Sequence, residues 1–394
     1  MSERLGQALV QALCCAILTN MPWALPWVYP AYPREKVNRA GRLLVEISRH
    51  SRPPELDNFN RAFALMDNWR SSHSYPLNVF QAGLRTRAKH IDRKSVIAQR
   101  LKRLSSIVAK LDRFPEMKLT QIQDIAGCRA IVSSVSQVYE LVNSYKRSDI
   151  KHKLVHEDDY IKNPKESGYR SYHLVYRYYS DKKSRRWNDL KVEVQIRSPL
   201  QHAWATAVET VGIFIRHSLK SSRGDEHWLR FFALMGTAIA LREHAVPVPN
   251  TPHKRQELRR ELQEYAASLD VENRLATFNN TLKNIEEVGV REGHYFLIEL
   301  DVAGQRTKVT SYGKRDLEKA SEDYSEVERS EAAQDAVLVS VDSFKTLKRA
   351  YPNYFLDMRT FIAAVQRAIS PRAISAPLQL HQPTLFDHLD PSQI

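Results

Sequence analysis

EDDYIKNPKESGYRSYH at 157–173, followed by VEVQIRS at 192–198, decides how this chain is read. In the second stretch Glu193, Gln195 and Arg197 share one face of a strand, while Val192, Val194 and Ile196 share the other. One face is therefore expected in a core, and the other carries an acid, an amide and a guanidinium in a row. In the first stretch Lys165 brings a phosphate-type charge, Gly168 lets the backbone turn or approach a ligand, and Tyr169 offers a ring for a base. Singly, such loop residues are ordinary solvated surface, and a Glu-x-Gln-x-Arg strand is the wet face of many sheets. Their order and spacing instead point to a nucleotide with its phosphates.

Upstream, SVIAQRLKRLSSIVAKLDRF at 95–114 alternates as a strand that puts Arg100 and Lys102 on one side, then turns helical at Ser105. Such a helix places Ser106 and Lys110 one turn apart, beside amide groups that favour anions. Alone, the segment reads equally as a basic helix facing water. In QDIAGCRAIV at 123–132, Asp124 precedes a Gly-interrupted entry into an apolar strand, with Arg129 five residues on.

The whole series resembles the synthetase domain of the RelA/SpoT family of alarmone-making enzymes. That family's DYI-x-x-PK-x-x-GY-x-S-x-H and E-x-Q-I-R are matched by Asp159, Tyr160, Ile161, Pro164, Lys165, Gly168, Tyr169, Ser171, His173, Glu193, Gln195, Ile196 and Arg197. Its R-x-K-x-x-x-S-x-x-x-K and D-x-x-x-x-R are matched by Arg100, Lys102, Ser106 and Lys110, and by Asp124 and Arg129. The resemblance implies pyrophosphoryl transfer: a ribose 3′-hydroxyl attacks the β-phosphorus of ATP, the β,γ-diphosphate moves, and AMP leaves. Such chemistry needs positioning and charge neutralisation more than a covalent group. By the same resemblance Arg100 and Arg129 sandwich adenine, Lys102, Ser106 and Lys110 hold the ATP phosphates, and Asp124 and Glu193 hold Mg2+. Glu193 is also the candidate base. Tyr169 stacks on the acceptor base, with Lys165, His173, Gln195 and Arg197 around its phosphates or ribose. Ser167 stands where the family commonly has Asn, which bears on the acceptor side alone. QHAWATAVE at 201–209 resembles the toxic, single-function synthetases, and no His-Asp dipeptide of the family's hydrolase half occurs.

Composition agrees with a cytoplasmic enzyme. The chain has 394 residues, 43% hydrophobic and 26% charged, enough for a sizeable core and two domains. Cys14, Cys15 and Cys128 form no Cys-x-x-Cys pair, which excludes a disulfide framework and a structural zinc. The formal charge of +14 suits polyanions, although an enzyme handling several phosphates is basic for that reason alone. ALVQALCCAILT near the N-terminus is too short for a membrane span and lacks a basic start. MPWALPWVYPAYPREKVNRAGRLL resembles the ordinary opening of family members, which makes Met21 a candidate start.

The expected fold is α/β (α+β): a mixed-sheet, nucleotidyltransferase-like synthetase domain flanked by helices, with a small C-terminal α+β domain. Helices are expected over 35–90, and strands near 96–102, 127–133, 171–179 and 190–197. Ser198 should cap a helix with Pro199 in its first position, burying Trp204, Val208, Val211 and Ile215. His202 and Glu209 on that helix are weaker site candidates. Prolines within 247–252 set a boundary before a charged helix over 254–289. Beyond it come a hairpin turning at Ala303-Gly304, a polar helix, a strand at DAVLVSVDS and a last amphipathic helix. The divisions are thus 1–34 N-terminal segment, 35–240 synthetase, 241–289 linker and helix, 290–370 accessory domain and 371–394 flexible tail. The layout resembles the fused toxin-antitoxin, CapRel-like members, in which a C-terminal region restrains the synthetase until a phage component is sensed. Three functions stand: a pyrophosphokinase acting on the tRNA 3′ end, a synthetase acting on GDP or GTP, and a non-catalytic RNA-binding module.

Overall fold

The computed structural model describes residues 27–49, 56–218, 223–280, 284–289, 293–301, 306–313, 316–329, 335–341, 343–355 and 358–370. The N-terminal apolar run, Met21, the Ala303-Gly304 turn and the tail lie outside them.

Helices α1 (Arg34–Arg49), α2 (Leu56–Ser71) and α3 (Ser74–Ile91) precede β1 (Val96–Leu101). Then follow α4 (Leu104–Arg113), β2 (Ala126–Ile131), α5 (Val135–Lys146), β3 (Lys153–Asp159), β4 (Tyr172–Arg177) and β5 (Lys191–Arg197). Strand β5 alternates as its sequence requires. Val192, Val194 and Ile196 are fully buried in the core that includes Leu84 of α3 and Leu141 of α5. Each contributes roughly 1.5–3 kcal/mol by that burial. The opposite face of the sheet is left for Glu193, Gln195 and Arg197.

Strand β2 runs parallel to β5, with Arg129 beside Gln195, while β1 runs antiparallel to β2, with Arg100 beside Gly127. Strand β4 sets His173 beside Gln195 from the other flank. Four strands thus bring the motif side chains onto one face.

Helix α6 (Pro199–Ser218) starts where Ser198 and Pro199 predict, and the Ser198 hydroxyl accepts the Gln201 amide. Trp204 and Val211 are buried, Val208 is partly buried, and the Ile215 side chain is outside the description. Helices α7 (Arg223–Arg242), α8 (Arg255–Ser268) and α9 (Val271–Asn280) follow, then β6 (Asn284–Gly289). The single helix expected over 254–289 is therefore corrected. The backbone turns left-handed at Asp270 (φ 48°), which ends α8, and residues 284–289 pair with β8 as a strand.

The remaining elements are β7 (Tyr295–Asp301), β8 (Arg306–Tyr312), α10 (Leu317–Arg329), β9 (Asp335–Ser340), α11 (Phe344–Ala350) and α12 (Arg359–Ile369). Strands β7 and β8 form the expected antiparallel pair. One sheet runs through the chain in the order β3-β4-β5-β2-β1-β9-β7-β8-β6. Its two halves meet where Gln99 and Arg100 of β1 pair with Ser340 and Val339 of β9. Val96, Ala98 and Ile131 share a core with Phe296, Val339, Leu347, Tyr351 and Tyr354. Helix α12 packs with α6 to α9 through Met358, Phe361, Ala364 and Val365. Arg70 on α2 lies 4.9 Å from the Tyr324 ring of α10 and donates to the Lys102 carbonyl.

Candidate active site

The open face of β1, β2 and β5 forms a cleft lined by Arg100, Lys102, Asp124, Arg129, Glu193 and Gln195. Small residues make its floor, since Ala98 and Gly127 leave room that larger side chains would fill. Asp124 stands just before β2 and takes Lys102 Nζ at 2.7 Å on one oxygen and Lys110 Nζ at 2.8 Å on the other. Burial opposes ionisation of this carboxyl. The two ammoniums outweigh it and hold the group at about 2, well below an ordinary aspartate. Ser106 lies one turn before Lys110 on α4, outside the cleft lining.

Glu193 is buried at 9% exposure and accepts Gln195 Nε2 at 2.6 Å. His173 Nδ1 lies 2.9 Å from its other oxygen, and the Tyr169 hydroxyl lies 2.8 Å from His173 Nε2. The bonding pattern assigns the Nδ1–H tautomer, with Tyr169 donating to Nε2. Burial again works against the charged Glu193, and the hydrogen bonds from His173 and Gln195 leave its carboxyl below the ordinary value. Arg197 donates to Gln195 Oε1 at 2.7 Å and lies 5.9 Å from the Tyr169 ring. Lys165, exposed, rests 4.4 Å from the Tyr160 ring and 5.6 Å from that of Tyr169. All five acceptor-side candidates therefore gather around the Tyr169-His173-Glu193 chain.

Gly168 turns the backbone as expected, its amide donating to the Lys165 carbonyl at 2.8 Å. At φ 96° it lies so close to α7 that a Cβ would meet the Phe232 carbonyl at 2.8 Å, and Gly236 opposite is equally tight against it. The close approach is to α7, and it seats the loop that carries Tyr169. The loop is narrower than the motif too: Glu157, Asp158 and Asp159 belong to β3, a strand absent from the expected set.

His202 and Glu209 divide. His202 is buried, its Nε2 3.2 Å from the Arg349 carbonyl, and burial with the Arg129 and Arg197 charges pushes its pKa well below the ordinary value. Glu209 is exposed, and its charge bears on Arg100 and Arg129. Burial and its guanidinium neighbours lower Arg129 to about 10.

Tyr351 is a cleft residue that the sequence motifs do not include. It stands on the flank of Arg100 and Arg129, donates its hydroxyl to the Gln99 carbonyl at 3.0 Å, and has the Arg129 guanidinium 5.9 Å from its ring. Arg129 Nη1 also donates to the Ala350 carbonyl at 3.4 Å. No local pattern announces this, because the contact joins residues more than two hundred positions apart.

Among the described residues no group of three or more His, Cys, Asp or Glu side chains converges as a metal cage. Asp124 and Glu193, two hard-oxygen donors on one cleft, suit a cation that takes its other ligands from phosphate and water, as magnesium does.

Residues 99–212 match the family described as "Region found in RelA / SpoT proteins". The chain is 35% identical over 134 residues to the GTP pyrophosphokinase YwaC of Bacillus subtilis (strain 168), covering 32% of this chain and 62% of that protein. To the GTP pyrophosphokinase YjbM of the same organism it is 37% identical over 151 residues, covering 36% and 65%. The chain thus spans less than two thirds of the length of these curated relatives. The crystal structure of small alarmone synthetase 2 from Bacillus subtilis aligns at TM-score 0.37 and 27% identity, over 45% of this chain and 94% of that one.

Proposed function

We propose that this chain is an ATP-dependent pyrophosphokinase that moves the β,γ-diphosphate of ATP to a ribose 3′-hydroxyl and releases AMP. The observation that carries the reading is the cleft, where two carboxylates, Asp124 and Glu193, face Arg100, Lys102 and Arg129. Lys102 and Lys110, bonded here to Asp124, exchange that carboxylate for the ATP phosphates, with Ser106 beside them. Asp124 and Glu193 hold Mg2+, which supplies charge neutralisation on the transferred group. Arg100 and Arg129 flank adenine. Glu193 accepts the proton of the attacking hydroxyl, and His173 fixes the carboxylate for that role. Tyr169 stacks on the acceptor base, and Lys165, Gln195 and Arg197 meet its ribose or phosphates.

The relatives named GTP pyrophosphokinases favour GDP or GTP as acceptor. A tRNA 3′ end is the second reading, supported by the +14 charge and by Ser167 at the acceptor loop. In either case Tyr351 occupies the flank assigned to adenine, which supports a C-terminal half that restrains the synthetase until a protein trigger displaces it. A toxin-antitoxin or phage-defence role follows from such a device. Incubation of the chain with γ-labelled ATP and equal concentrations of GDP, GTP and bulk tRNA locates the label. Label on a guanosine nucleotide supports the first acceptor, label on RNA the second. Label found only in free phosphate or pyrophosphate overturns both.

A further inference from the structure

Arg170 lies between Tyr169 and Ser171 and is buried at 2% exposure, first by size among the fully buried side chains of the described residues. It is not among the residues that line the cleft. Its guanidinium instead spans the loop that joins β3 to β4. Nη1 donates to the Ile161 carbonyl at 3.2 Å, near the start of that loop, and Nη2 donates to the Val246 carbonyl, just past α7. Glu243, the residue after α7, is the carboxylate whose charge bears on Arg170. It accepts the Ser198 hydroxyl and Gln201 Nε2, the latter at 2.9 Å, and Ser198 directly follows Arg197 of β5. The Ser171 hydroxyl adds a bond to the Ile196 carbonyl at 3.2 Å.

A methionine would fill much the same space without the cost of burying a charge. What it could not do is hold two carbonyls from distant parts of the chain at once, which the planar fork of an arginine does. The carbonyls mark what is being fixed. Between Ile161 and Arg170 run Lys165, Gly168 and Tyr169, and the Tyr169 hydroxyl reaches Glu193 through His173. Through Ser171 and Ser198 the same network holds the end of β5, the strand of Glu193, Gln195 and Arg197. The stacking ring and the proposed base are thereby referred to one frame.

We propose that Arg170, balanced by Glu243, is a positioning residue: it clamps the loop so that Tyr169 and Glu193 face one acceptor. It rests on the pyrophosphokinase reading of the cleft. The test compares the full chain with Arg170→Met, which keeps the bulk and loses both bonds, and with Arg170→Lys, which keeps the charge and reaches one carbonyl. Arg230→Met is the control, because Arg230 ties the same α7 to Glu261 and the Asn250 carbonyl rather than to the loop. With the acceptor that wild type labels among GDP, GTP and bulk tRNA, Arg170→Met should lower kcat/KM by about ten- to a hundredfold, the scale of a misplaced reacting group. ATP affinity, read by calorimetry, should stay within a few-fold. Arg170→Lys should fall between, and Arg230→Met should lower the melting temperature with kcat/KM near wild type. His173 is read without substrate: its imidazole 15N signals should show Nε2 hydrogen-bonded in wild type and released in Arg170→Met, and the lysine variant carries the same readings should the methionine variant not fold. A parallel loss of ATP affinity and acceptor use, an equal loss in Arg230→Met, or an unchanged kcat/KM or His173 signal in the Arg170 variants overturns the clamp. A wild type that labels no acceptor, with His173 released in the Arg170 variants alone, upholds the clamp and removes the pyrophosphokinase reading.

Discussion

Glu193 is held on both oxygens before any substrate arrives, one by Gln195 and the other by His173. Its exchange for glutamine keeps the shape and removes the charge, so transfer should fall by at least about a hundredfold, the usual range for a general base. ATP affinity should stay within a few-fold, read by calorimetry. Tyr169 carries a second prediction. Tyr169→Ala should weaken acceptor use by about 1–3 kcal/mol, the worth of a stacked base, while ATP binding holds. An equal loss on both substrates would mean that its contacts with His173 and Trp204 matter for the fold alone. A third concerns stability. His73 is buried with Nδ1 2.7 Å from the Trp69 carbonyl, and burial lowers its pKa to about 4. Below its unfolded value of about 6.5 the unfolded chain takes up a proton that the native ring refuses, so stability is lost as pH falls from about 6.5 to 4. Between pH 7 and pH 5 this amounts to about 2 kcal/mol. His73→Asn should flatten that part of a urea-unfolding series, and an unchanged slope would contradict it.

The alternation of β5 and the cap at Ser198 were legible because each follows from a local period or a local bond. Strand β3 was not, since KLVHEDD is a charged edge strand whose exposed and half-buried positions give no apolar rhythm. The break at Asp270 needed a left-handed backbone that no Gly or Pro marks. The site motifs were legible as a set, yet the task of Gly168 depended on α7, an element about 60 residues further along the chain. Gly236→Ala, which drives a methyl within 2.8 Å of the Gly168 Cα, should displace the loop that carries Tyr169. Acceptor use then falls while ATP binding holds, and a structure or acceptor KM unchanged by the substitution would count against this seating.

At the scale of the molecule, the C-terminal half is stitched into the half that carries the cleft. Strand β9 covers the edge of β1, and α12 completes the core of α6 to α9. The restraint expected of the C-terminal region is therefore not tested by cutting near residue 285, which would bare Val96, Ala98 and Ile131. A point change tests it better. Tyr351→Ala in the full chain should raise ATP affinity by about tenfold or more if the closed form dominates, read by calorimetry. Affinity equal to wild type would make Tyr351 a packing residue.

The most direct test of the account is the stoichiometry of transfer in that opened chain. With γ-labelled ATP, Tyr351→Ala should place one label on an acceptor 3′-hydroxyl for each AMP released, and adding Glu193→Gln should abolish both together. Labelled free phosphate released with ADP and no label on any acceptor, or transfer that persists in the double variant, would contradict the assignment of this cleft as a pyrophosphokinase site.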